Sequence, residues 1–237
     1  MSFTIDDSAA HWDKMVLEGY EEINVRTDSY LRRFEDGFRM SEIQDGAFVL
    51  DLGCGTGNGT LYWHERRQLK MVGIDVSREM LRVCAAKLEA TRLPLLLLRA
   101  NGECLPFPND TFDNIISFEA LEHTPNPHLF IAEAGRVLKR GGEMLMTTPN
   151  TNWEFIHWLA AVTHLHHSEG PHRFVPREEI RDYLQQAGFR IKREETRVLI
   201  PQGPDFLLRW GRWLEALLGE KAMRHIALRR IFACEKL

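Results

Sequence analysis

Residues 49–59 read VLDLGCGTGNG: an apolar run holding one acid, then glycines at 53, 55, 57 and 59. A run this short and apolar, stopped by glycine, reads as a buried strand that feeds a sharp turn. Buried strands of this kind belong to parallel sheets, and parallel strands need crossover helices. The chain from residue 47 onward meets that demand. Ala47–Leu52, Lys70–Ile74, Leu95–Leu98, Phe112–Phe118 and Glu143–Thr148 read as five strands. Gly57–Arg67, Arg78–Glu89 behind the capping Ser77, and the stretch from Asn126-Pro127 to Gly141 read as helices between them. A further helix starts at Pro176, puts Ile180, Tyr183, Leu184 and Ala187 on one face and stops at Gly188. Phe189–Ile200 and Arg230–Lys236 supply strands six and seven. The alternation predicts an α/β fold: one doubly wound, mostly parallel, seven-stranded sheet with helices on both faces.

Open sheets of this type bind ligands beyond the carboxyl ends of their strands, near the point where strand order reverses. Asp51, Asp75, Asn101 and Glu119 all fall at such ends. The spacing Gly53-x-Gly55-x-Gly57 departs from the G-x-G-x-x-G of dinucleotide binders. Asp51 points further away from a phosphate ligand, because a pyrophosphate beside it would be repelled by on the order of 4 kcal/mol in an intermediate dielectric. A ligand with ammonium and sulfonium charges and no phosphate would instead be attracted, and S-adenosylmethionine is such a ligand. Asp75, 22 residues after Gly53, is placed to accept from two ribose hydroxyls. It would serve NAD equally well, and it could also simply cap the helix that follows.

Bulk properties narrow the field. The formal net charge of −4 gives no basic surface for nucleic acid. The Asn/Asp-Pro-Pro-aromatic motif of amino-group DNA methyltransferases is replaced by SFEALEH after the fourth strand. The start, MSFTIDDSAAHW, lacks the basic and apolar regions of a signal peptide, and Leu93–Leu98 is far too short to span a bilayer. Cysteines 54, 84, 104 and 234 are scattered, which argues against a disulfide framework or a zinc site. The histidines of THLHH (163–167) lack companion ligands and read as surface residues rather than a metal site. A cytoplasmic protein binding no metal is expected.

With VLDLGCGTGNG, GIDVSREML, NGECLPFPNDTFDNIISFEALEH and AGRVLKRGGEMLMTTPN in this order, residues 45–150 resemble the class I S-adenosylmethionine-dependent methyltransferases. The small-molecule branch that includes ubiquinone-biosynthesis O-methyltransferases is the nearest in pattern, and the GFRI strand extends the likeness to about residue 191. The resemblance implies a Rossmann-like sheet with an antiparallel last strand, S-adenosyl-L-methionine as cofactor and S-adenosyl-L-homocysteine as product. It also implies site positions. Asp51 and Gly53 would hold the methionine ammonium, with Cys54 and Gly55 completing the loop. Asp75 would hold the ribose, Val76 and Met80 the adenine faces, and Asn101, Gly102 and Glu103 the adenine edge. Asn101 stands where the family usually has an aspartate, and its amide oxygen can still accept the adenine amine. Phe118, Glu119 and Leu121 would line the sulfonium side. His123 is the leading candidate for a general base and His172 the second, although His123 could equally be structural.

Segments outside the sheet should choose the substrate. Residues 1–45 are expected to form a helical cap, with two helices over 9–43 and an arginine for the cofactor carboxylate. Residues 151–175 form an insertion that reads as a lid, with Trp153, Ile156, Leu159, Ala160 and Thr163 on one helical face and Trp158 on its flank. Trp210, Trp213, Leu214, Leu217 and Leu218 repeat at helical spacing. They read either as a face packed on the sheet or, with the lid, as an apolar mouth touching a lipid chain or membrane surface. The expectation is a single domain that methylates a small apolar or aromatic molecule at oxygen. An NAD-dependent oxidoreductase and a non-catalytic cofactor-binding scaffold are the alternatives.

Overall fold

The computed structural model describes residues 3–24, 27–154 and 171–237. The amino-terminal segment folds into α1 (Ile5–Leu17), α2 (Tyr20–Asn24) and α3 (Asp28–Met40), three helices where the sequence suggested two. The extra start comes from Thr4 and Asp7, which form a reciprocal capping box three residues apart. The α/β body follows as β1 (Phe48–Leu52), α4 (Asn58–His64), β2 (Lys70–Asp75), α5 (Arg78–Thr91), β3 (Leu96–Arg99) and β4 (Phe112–Phe118). A 3-10 turn at Leu121–His123 leads to α6 (Pro127–Val137) and β5 (Leu138–Pro149). Then come α7 (Arg177–Gln186), β6 (Phe189–Arg197), α8 (Asp205–Leu217), α9 (Glu220–Ile226) and β7 (Arg229–Lys236).

The strands form one seven-stranded sheet of order β3-β2-β1-β4-β5-β7-β6. β7 runs antiparallel to both β5 and β6, and the remaining pairs are parallel. Among the boundaries that differ from the sequence reading, two have a clear backbone cause. α6 ends at Val137 because β5 already pairs at Leu138 opposite Phe112, leaving Gly141 (φ +76°) as a kink inside the strand segment. β6 stops at Arg197, since Val198 adopts a left-handed backbone (φ +72°) that breaks the ladder.

The sheet divides the interior into two cores, and strand alternation assigns residues to each. Leu50, Ile115, Met144 and Phe232 face α6 and α7 on one side. Val49, Ile116, Leu145 and Ile231 face Phe34 and Met40 of α3 and Trp63 of α4 on the other. Strand order reverses between β1 and β4, so a crevice opens at their carboxyl ends. Helix α1 roofs that crevice. Asp13 accepts from Ser77 Oγ (2.6 Å) and the Glu79 N–H (3.0 Å), while Ser8 Oγ donates to the His123 carbonyl (2.7 Å).

Candidate active site

The crevice is a cavity of about 440 Å³ at the ends of β1, β2 and β4, closed by α1 to α3 and by Trp153, Pro201, Gln202 and Leu228. The predicted residues Gly53, Gly55, Asp75, Val76, Met80, Gly102, Phe118, Glu119 and His123 all line it. Asp51 and Cys54 line a small alcove instead, walled by Tyr30, Arg33, Gly53, Gly55 and Thr56. Arg33 and Gly55 belong to both spaces, so the alcove adjoins the main cavity.

Each glycine of the loop has its own reason. A Cβ on Gly53 (φ +81°) would lie 2.5 Å from Ala120 Cβ, and one on Gly57 (φ +82°) 2.5 Å from Cys84 Sγ. Both are packing constraints. A Cβ on Gly55 would meet only Met80 Sδ at 4.0 Å, so there the missing side chain leaves room in the cavity wall. Cys54 packs beside Cys84, and that contact together with burial pushes its thiol well above the ordinary range, which makes it a poor nucleophile.

The alcove pairs opposite charges. Asp51 is buried beneath the loop on the same strand face as Val49, where Thr60 Oγ1 donates to it. Burial raises its pKa to about 7. Arg33 forms an ion pair with Glu119 at 3.2 Å and stacks 4.3 Å over the Tyr30 ring. Burial works against the Arg33 charge, but Glu119, Tyr20, Tyr30 and Glu122 outweigh it and raise the guanidinium pKa. Its Nε is buried with no hydrogen-bond partner among the described residues. A buried donor without a partner beside a buried carboxylate suits a ligand carrying both a carboxylate and an ammonium. Of the neighbouring arginines Arg32 and Arg33, Arg33 lines the cavity and Arg32 pairs with Glu215, a difference that no pattern in DSYLRRFEDG announces.

At the second strand end, Asp75 accepts from the Gly55 N–H and the Ser77 N–H, both at 2.9 Å. Burial pushes its pKa up while those amides pull it down. The α5 cap is Ser77, whose Oγ accepts from the Met80 N–H, so Asp75 is not the capping side chain. Val76, Met80, Ala100, Gly102 and Phe130 continue the wall from there. Asn101, Glu103 and Leu121 lie outside it. Asn101 Oδ1 accepts the Glu103 N–H (2.9 Å), Glu103 holds the Asn126 N–H and amide, and Leu121 is buried in the α6 core.

Glu119 ends β4 with a left-handed backbone (φ +53°), a strained conformation for a non-glycine residue. Its carboxylate bridges Arg33 and Arg229, and Arg229 also donates to the Ser29 carbonyl (2.7 Å). No sequence pattern marks Arg229, the first residue of β7. His123 lines the cavity 4.8 Å from the Trp12 ring centroid. Its Nδ1 lies 3.2 Å from the Pro171 carbonyl, which can only accept, so Nδ1 is the donor and, in the neutral ring, Nε2 is the basic nitrogen. His172 is exposed behind it, with ring centroids 6.3 Å apart, and does not line the cavity. The lid residues Ile156, Trp158, Leu159, Ala160 and Thr163 and the histidines of 163–167 lie outside the described residues. No group of metal-ligating side chains occurs among the described residues.

The switch-point crevice, glycine loop and acidic strand ends define a class I S-adenosylmethionine-dependent methyltransferase fold. Residues 50–146 match the family model described as a methyltransferase domain. An uncharacterised protein of Methanocaldococcus jannaschii is 38% identical over 151 residues, covering 59% of this chain and 54% of that protein. The ubiquinone biosynthesis O-methyltransferase of Bradyrhizobium diazoefficiens is 28% identical over 174 residues, covering 66% and 64%. The chain thus spans about half to two thirds of the length of these curated relatives. Among solved structures, geranyl diphosphate C-methyltransferase from Streptomyces coelicolor A3(2), bound to S-adenosyl-L-homocysteine, superposes with a TM-score of 0.66. The match covers 87% of this chain and 79% of that one at 16% identity, a likeness of fold.

Proposed function

We propose that this chain transfers the methyl group of S-adenosylmethionine to a small, apolar or aromatic acceptor at an oxygen atom. The observation that carries the reading is the alcove holding Asp51 and Arg33 beside a larger, mostly aromatic and aliphatic cavity. The cofactor supplies an electrophilic methyl on a sulfonium. Asp51 attracts its ammonium, Arg33 its carboxylate and Asp75 its ribose hydroxyls, while Val76, Met80 and Gly102 border the adenine. Phe118, Trp12 and Trp153 exclude water and orient the acceptor. His123 Nε2 takes the acceptor proton. Titration calorimetry with S-adenosylmethionine and with NADH tests the cofactor, and turnover on a panel of phenols and their amine counterparts tests the atom. Binding of NADH alone would favour an oxidoreductase; cofactor binding without turnover would favour a scaffold.

Two outcomes follow from the carboxylates. Asp75→Ala should weaken S-adenosylmethionine binding at least about tenfold, since charge-assisted hydrogen bonds contribute roughly 1.5–3 kcal/mol. Unchanged affinity in a folded variant would remove Asp75 from the site. Because burial pushes the Asp51 carboxyl up to about 7, cofactor affinity should rise between pH 6 and 8. The ammonium favours the ionised form, so binding near neutrality releases a proton, visible as buffer-dependent calorimetric heat. Without cofactor the sign reverses for stability. From the ordinary 3.8 up to about 7 the unfolded chain loses this proton first, and folding is progressively disfavoured. Asp51→Asn should therefore raise Tm at pH 8 while flattening the pH profile of binding. A profile unaltered by the substitution would exclude the ammonium role.

A further inference from the structure

Helix α8 is turned the wrong way for an ordinary amphipathic helix. Its fully buried positions are Gly211 and Glu215. Glu215 accepts from Arg32 at 2.6 and 2.9 Å and from the Leu199 N–H at 2.8 Å, and Gly211 packs against Ile200. A polar side is thus anchored to the protein. Phe206, Trp210, Trp213 and Leu217 face outward, 73%, 53%, 56% and 63% exposed. At 3.6 residues per turn these four fall within about 60° of one another, a continuous outward stripe. Of the two readings of the stripe, the outward one describes Trp210, Trp213 and Leu217, while Leu214 and Leu218 are half-buried.

Cations border the stripe. Arg209 flanks it, Arg212 lies further round beside Asp28, and Lys221 and Arg224 are exposed on α9, against the acids Asp205 and Glu220. The local balance is positive on a chain whose formal net charge is −4. Tryptophan and arginine side by side on one outward helix face match the apolar and headgroup layers of a lipid surface, since both have an apolar body and a polar tip. Ile226, at the end of α9, is a further exposed apolar side chain on this stretch of chain. The same stretch of chain is spliced into the cavity wall at both ends, through Pro201 and Gln202 before α8 and Leu228 after α9. Trp153, also in the wall, donates its Nε1–H to the Ile226 carbonyl at 3.0 Å.

We infer that the outward face of α8 docks the protein on an anionic membrane surface, next to the cavity wall formed by Pro201, Gln202 and Leu228. The inference is independent of the reaction proposed above. It is tested by co-sedimentation of the full chain with phosphatidylcholine vesicles with and without about 30% phosphatidylglycerol. The wild type should pellet with the anionic vesicles, less so as salt is raised, and poorly with neutral ones. The double variant Trp210→Ser/Trp213→Ser should lose about tenfold or more in vesicle partitioning, with Tm and S-adenosylmethionine affinity unchanged, because these rings are outside the core. Failure of the wild type to bind anionic vesicles at low salt would overturn the inference, as would equal binding by the folded variant. So would a wild-type dimer that the same substitutions make monomeric, since a second copy would then be what covers the face.

Discussion

His123→Gln is expected to lower kcat by about 10²-fold or more while leaving S-adenosylmethionine affinity nearly unchanged. In the neutral ring the contact with the Pro171 carbonyl holds the proton on Nδ1, which makes Nε2 the basic nitrogen. Glutamine can preserve a hydrogen bond to that carbonyl but has no basic nitrogen. The wild-type rate should therefore rise with pH through the histidine range, and the variant should lose that limb. Steady-state kinetics across pH, paired with calorimetry for the cofactor, separate the roles. A fully active variant would make His123 structural, as its edge-on contact with Trp12 would suffice to explain. Parallel loss of cofactor affinity would place it in the cofactor wall.

The second large effect concerns the anchor of α8. Arg32→Ala should destabilise the protein by about 3–5 kcal/mol, because it leaves the Glu215 carboxylate buried opposite no cation. For a chain of this size that is a fall in Tm on the order of 10 °C. Replacing both partners, as in Arg32→Leu/Glu215→Leu, should recover most of the loss, since the cost comes from the orphaned charge. Thermal melts of the single and double variants measure the difference. A single variant as stable as the wild type would mean that the pair adds nothing and that Gly211 and Ile200 alone seat the helix.

Legibility followed the physics of each signal. The strands and crossover helices could be read because burial on both faces leaves short apolar runs, and glycine or proline marks their ends. The boundaries that moved, at Leu138 and Arg197, depend on pairing with a neighbouring strand, which is a non-local fact. Within the site, Asp75 stands at a strand end and is legible by position, whereas the places of Gly53, Gly55 and Met80 rest on the family resemblance. Arg33, Glu122 and Arg229 converge from α3, the 3-10 turn and β7, so only the folded chain brings them together. α8 shows the limit of periodicity most clearly. Spacing finds an apolar stripe, but which side packs was decided by the distant partner Arg32.

The roof formed by α1 has a kinetic consequence. One helix is tied at one end to the turn after Asp75, through Asp13, and at the other to the turn bearing His123, through Ser8. Loosening it uncovers the cofactor side and the acceptor side in a single event. Side-chain ties of this kind are worth about 1 kcal/mol each, so opening lies far below global unfolding on the energy scale. On the proposed function, exchange of spent cofactor and release of product would be gated together, and the opening frequency of α1 would set an upper bound on turnover. Amides of α1 should accordingly exchange with solvent faster than those of β1 and β4 and become protected when cofactor is bound.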